Sequence, residues 1–110
     1  MYKVLLVDDE YMITEGLKRL IPFEKWDMEV VATANHADDA LDYVREHPVD
    51  VVISDVNMPD KTGLEMIGEM KELLPDAYYI LLSGYQEFDY VKKAMNLNVV
   101  DYLVKPVDKV

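Results

Sequence analysis

The chain has 110 residues, about half of them hydrophobic, which suffices for one domain around one ordinary core and leaves no room for a second. A formal charge of −11 repels phosphate backbones, so this chain is not expected to grip nucleic acid itself. The lack of cysteine excludes a disulfide framework and a thiolate metal site and fits a reducing cytoplasm, and the first apolar run, Val4 to Val7, is too short for a signal peptide or a membrane span.

In chain order, Lys3 to Asp8 reads as a short apolar strand that runs straight into Asp8-Asp9-Glu10. Tyr11 to Ile21 carries Met12, Ile13, Leu17, Leu20 and Ile21 on one broad helical face, and Pro22 stops it. Pro22 to Asp27 is a loop in which Trp26 is expected to plug the bottom of the core. Met28 to Ala34 is the second strand. Asn35 is placed to cap a helix running to His47, with Asp38 in its first turn and Ala37, Ala40, Leu41 and Val44 facing the sheet.

The run V-D-V-V-I-S-D-V-N-M-P, Val49 to Pro59, is the centre of the pattern. Valine and isoleucine without alternation indicate a strand buried on both faces, as in parallel sheets covered by helices. It ends on Asp55. Thr62-Gly63-Leu64-Glu65 is a capping box opening a helix through Leu74, and Pro75 ends it. Ala77 to Leu82 is a fourth strand ending on Ser83-Gly84, Gln86 to Leu97 a helix with Asn98 as its left-handed C-terminal residue, and Val99 to Val104 a fifth strand ending on Lys105-Pro106.

This alternation demands right-handed crossovers and a parallel α/β sheet with helices on both faces, so all strand carboxyl ends point one way. One rim then collects Asp8, Asp9, Glu10, Asp55, Ser83 and Lys105. In open α/β sheets that rim is where the functional crevice lies. Carboxylates crowded there repel one another unless a hard divalent cation neutralises them.

The set D-D-E after the first strand, D-V-N-M-P after the third, S-G-Y after the fourth and D-Y-L-V-K-P at the fifth resembles the receiver domain of two-component response regulators, over nearly the whole chain. The stretch S-G-Y-Q-E-F-D-Y-V-K-K-A and the Trp-containing loop further resemble receivers that carry an AraC-type DNA-binding output. The resemblance implies a doubly wound, flavodoxin-like sheet of five parallel strands in the order 2-1-3-4-5. On the same resemblance, residues 1–110 are expected to form the receiver domain, with the fifth helix truncated and the output domain not present in this chain.

Carried over by residue, the resemblance makes Asp55 the nucleophile that accepts a phosphoryl group from a histidine kinase. Mg²⁺ is held by Asp9 and Asp55 through their side chains, by Asp8 through water and by the main-chain carbonyl of Asn57. Lys105 faces the phosphoryl oxygens. Ser83 and Tyr102 form a switch that reshapes the face of the fourth helix and fifth strand, a possible homodimer surface. The resemblance further implies that DNA is reached only through an output domain not present in this chain, and that the protein is cytoplasmic, with no membrane partner.

Two other classes share parts of this pattern. An aspartate-nucleophile phosphohydrolase resembles a D-x-D arrangement whose second acid protonates the leaving group, but Asn57 stands at that position. A flavodoxin-like cofactor binder needs a phosphate-cradling loop rich in Gly, Ser or Thr after the first strand, where this chain has acids. The chain departs from the commonest receiver pattern at Asp60-Lys61-Thr62, at Asn98-Val99 and in ending at Val110, where a fifth helix is expected to begin.

Overall fold

The apolar run that ends on Asp55 is the middle strand of a five-stranded parallel sheet. The structure, a computed structural model, describes residues 1–55, 58, 61–83 and 101–104. Its elements are β1 (Tyr2–Val7), α1 (Tyr11–Leu20), a 3-10 turn (Phe23–Trp26), β2 (Met28–Ala34), α2 (Ala37–Glu46), β3 (Val51–Asp55), α3 (Gly63–Leu73), β4 (Tyr78–Ser83) and β5 (Asp101–Val104). The strand order is β2-β1-β3-β4-β5, the flavodoxin-like order expected. The helix expected over 86–97 and the chain end at Val110, where a fifth helix is expected to begin, lie outside the described residues.

Every residue of β3 is buried, which is why its sequence shows no alternation. Its neighbours alternate between two cores. Leu5, Val7, Val52, Tyr79 and Leu81 point to one face, where Ala37, Ala40, Leu41 and Val44 of α2 and Leu64, Met66, Ile67 and Met70 of α3 cover them. Val4, Leu6, Val51, Ile53 and Leu82 point to the other, against Leu17 of α1 and Phe23 of the 3-10 turn.

Two sequence expectations fail on that second face. Trp26 is 56% exposed, and Phe23, three residues earlier, fills the core instead. Met12 and Leu20 are also exposed. The contact stripe of α1 is Ile13, Leu17 and Ile21 at i, i+4 and i+8, narrower than the full apolar arc, and it is completed by the buried Thr14. Thr14 resolves its polarity locally, because its hydroxyl donates to the Tyr11 carbonyl at 2.9 Å.

The carboxyl end of α3 is tied down by Tyr79, whose buried ring sits under the helix while its hydroxyl donates to the Leu74 carbonyl at 2.8 Å. Burial pushes its pKa up from 10.0 to about 12. A folded-state pKa above the unfolded one means this stabilisation is complete below pH 10 and is lost as pH rises through 12. Tyr79→Phe is therefore expected to cost about 1 kcal/mol at neutral pH through the lost hydrogen bond. Urea unfolding should show that gap narrowing above pH 10, because the variant has no phenol to ionise.

Candidate functional site: an acidic cluster at the sheet switch point

Register brings the acids together. Val7 of β1 pairs with Ser54 of β3, so the next residues, Asp8 and Asp55, come level at the carboxyl ends of adjacent strands. The chain turns outward to β2 from β1 and in the opposite direction to β4 from β3, so this pair stands at the topological switch point. One carboxylate oxygen each from Asp8, Asp9 and Asp55 lies within 4.8 Å of the others. Asp8 and Asp55 are 0% and 2% exposed, whereas Asp9 opens to solvent.

Short ties hold the two loops that carry these acids. The Asp8 N–H donates to the Ala34 carbonyl at 3.0 Å, and Asp8 Oδ1 accepts the Glu10 N–H at 2.9 Å, which turns the chain into α1. Asn35 was expected to cap α2. Its side-chain amide donates instead to the Asp8 carbonyl at 3.1 Å, and His36 stands at the cap position with no side-chain hydrogen bond to the helix. Asn35 thereby fixes the acidic loop of β1 from the end of β2.

On the other side, Thr62 caps α3 as expected, accepting the Glu65 N–H at 3.1 Å while Glu65 Oε1 accepts the Thr62 N–H at 3.0 Å. Gly63 follows, pressed against β3. A Cβ placed there falls 2.1 Å from the Asp55 carbonyl oxygen and 3.2 Å from Ser54 Oγ. Ser54 itself is buried and donates to that same carbonyl at 2.9 Å. Lys61 adds an outer strap by pairing with Glu69 on α3 and, at 3.7 Å, with Asp38 on α2. Its pKa is raised, first by the hydrogen bond to Glu69.

Asn35, Lys61 and Gly63 were not read from the sequence as parts of the site. The one local signal was a glycine at the first helical position after a good cap, where almost any residue serves the helix. Of the expected site residues, Asp8, Asp9 and Asp55 converge. Ser83 ends β4 one residue past the Asp55–Leu82 pair, and it pairs with Val104 of β5, which places its main chain on the same rim. Tyr102 lies in β5 opposite Leu81. Asn57 and Lys105 lie outside the described residues.

An all-carboxylate set of this kind suits a hard, oxygen-seeking divalent cation such as Mg²⁺ and offers nothing to a soft metal. Two of its members are buried, where a divalent cation at the cluster would favour the charged carboxylates over the neutral acids. No helix among the described residues is long and apolar enough to cross a membrane.

Known proteins share this fold and much of this sequence. Residues 4–110 match the response regulator receiver domain family. An uncharacterized response regulatory protein of Staphylococcus epidermidis is 42% identical over 108 residues, covering 98% of this chain. The transcriptional regulatory protein HptR of Staphylococcus aureus is 39% identical over the same share. The chain spans 42% of the length of each of these relatives. Among solved structures, the receiver domain of AraT, a response regulator from Geobacillus stearothermophilus, superposes with a TM-score of 0.91 at 42% identity, covering 97% of this chain and 83% of that one. A two-component transcriptional regulator AraC from Clostridium phytofermentans gives 0.89 at 30% identity, covering 98% and 84%. With its acids paired by register at the switch point of a 2-1-3-4-5 sheet, the chain belongs to the response regulator receiver domain family, a phosphoacceptor signalling module.

Proposed function

We propose that Asp55 is the phosphoacceptor. The observation that carries this reading is the strand register, which sets a buried carboxylate at the end of the central strand beside Asp8 and Asp9. A carboxylate oxygen of Asp55 attacks the phosphorus of a phosphohistidine on a partner kinase. The new O–P bond forms as the P–N bond breaks, and the leaving imidazole nitrogen takes a proton. The same attack on acetyl phosphate releases acetate, so the chain promotes its own aspartyl phosphorylation and its slow hydrolysis.

Asp9 and Asp55 by side chain, Asp8 through water and Asn57 by its main-chain carbonyl are the groups that would hold Mg²⁺. When bound, that ion supplies positive charge against the carboxylates and the phosphoryl oxygens. The chain's own residues do the positioning. Asn35 anchors the Asp8 carbonyl, and the Ser54 hydroxyl and the close approach of Gly63 hold the Asp55 main chain. Lys105, the next residue in sequence after Val104, is the group that would pair with the phosphoryl oxygens, and Ser83 the one that would donate to them. Tyr102 would then turn inward and reshape the surface at β5.

That face is the natural dimer surface, and the output it controls is transcription through a DNA-binding domain outside residues 1–110. The sensor kinase and this output place the protein in the cytoplasm. In the test, the chain is incubated with acetyl phosphate and Mg²⁺ and weighed intact. One phosphoryl group is expected on the wild type and none on Asp55→Asn. Undiminished labelling of that variant would remove Asp55 from the role.

A further inference from the structure

The groove at the opposite pole of the sheet has no part in phosphoryl chemistry. It has a volume of about 610 Å³ and lies between the end of α1, the 3-10 turn and the start of β2. Its floor is apolar: Ile21, Phe23 and Met28, with Phe23 buried and the other two half-buried. Its rim carries Lys18, Arg19 and Lys25. These are three of only eleven Lys and Arg in a chain with twenty-two Asp and Glu, so the cations are concentrated where the apolar floor opens.

Lys18 is held by Glu15 at 3.0 Å, and Glu24 and Glu29 also border the groove. Among the described residues, however, neither Arg19 nor Lys25 makes an ion pair. Two large apolar side chains stand exposed beside the groove on the same elements, Leu20 at 69% and Trp26 at 56%. Asp27, in the left-handed region at φ 60°, bends the chain so that β2 begins directly under the turn. Since β2 is an end strand of the sheet, its outer main-chain edge runs alongside.

We propose that this groove is a docking site for an extended segment of a partner protein with an apolar or aromatic anchor flanked by carboxylates. The volume falls in the range that buries such an anchor, the rim cations select acidic flanks, and the open edge of β2 gives an extended backbone its hydrogen-bond partners. The groove opens at the amino ends of the strands and the acidic cluster at their carboxyl ends, so both can be engaged at once. This inference does not depend on which residue accepts phosphate.

The chain contains one tryptophan, Trp26, exposed on the 3-10 turn that supplies Phe23, Glu24 and Lys25 to the groove, so its fluorescence is a nearby reporter. The probe is a tryptophan-free peptide with a Leu-Phe anchor between runs of Glu and Asp, compared with the same peptide carrying Gln and Asn and with a Lys-flanked one. Saturable change with the acidic peptide alone is expected, weakened by salt and about tenfold or more by Arg19→Glu combined with Lys25→Glu. Both substitutions are at exposed positions, and labelling by acetyl phosphate should be unchanged in the double variant. Equal response to all three peptides, no saturation with any, or full affinity in the double variant overturns the proposal. So does concentration-dependent self-association, seen by sedimentation, that the double variant abolishes, because it gives the groove to a second copy.

Discussion

Gly63→Ala is expected to lower the melting temperature by about 10 °C or more, the loss that a backbone overpacking cost of about 3 kcal/mol produces in a domain of this size. The added methyl falls 2.1 Å from the Asp55 carbonyl oxygen, and the next contacts are the carbon of that carbonyl at 3.1 Å and Ser54 Oγ at 3.2 Å. None of these is the far end of a flexible side chain. Either α3 lifts off the sheet or the end of β3 moves, and in both cases Asp55 leaves its place beside Asp8. Acetyl phosphate labelling should therefore fall even at temperatures where the variant is folded.

The requirement at Gly63 is space and not backbone freedom, since no described glycine has positive φ. Gly16 in α1 and Gly68 in α3 provide the comparison, because a Cβ at either meets nothing within 4 Å. Alanine at those two positions should stabilise by about 0.5–1 kcal/mol, as expected for glycine replaced inside a helix. Thermal melts of the three variants test the contrast, and a Gly63→Ala protein as stable as Gly16→Ala would show that the close approach carries no cost.

The second large effect is one of sign. Asp55→Asn in metal-free buffer should make the chain more stable by about 1–2 kcal/mol, because it removes one charge from a buried cluster of like charges. Changing a buried polar group ordinarily destabilises. With Mg²⁺ the order should reverse. A ligand that binds only the folded chain stabilises by about 2.7 kcal/mol at a hundredfold excess over its dissociation constant, and this gain belongs to the wild type. Asp9→Ala is the companion variant, for Asp9 is exposed and its removal leaves the core intact while taking away one carboxylate of the set. It should keep its metal-free stability and lose most of the Mg²⁺ response. Asp55→Asn that is less stable without metal and equally responsive to it would separate this cluster from cation binding.

Much of this architecture was written in local patterns. The unbroken Val-Val-Ile run determined that β3 is central, since only a strand covered on both faces has no use for alternation. The spacing of the elements determined a parallel sheet with all carboxyl ends on one rim, and hence the company of Asp8, Asp9 and Asp55. Thr62 and Glu65 determined the start of α3, because a capping box is satisfied within four residues of chain.

What only the tertiary structure decided are the contacts between residues far apart in sequence. Asn35 has the chemistry of a helix cap, yet its amide reaches Asp8 across the sheet, because the Ala34 carbonyl already holds the Asp8 N–H and brings the two loops together. The apolar arc of α1 suggested five inward residues, but a cylinder on a twisted sheet touches along one stripe, so Met12 and Leu20 stay outside. Phe23 and Trp26 are equally good core residues by composition, and the room beside Leu17 accepts only the first. Gly63 looked like an ordinary helix-start residue until β3 was laid against it, for a clash with a main-chain oxygen eight residues away exists only once both segments are in place.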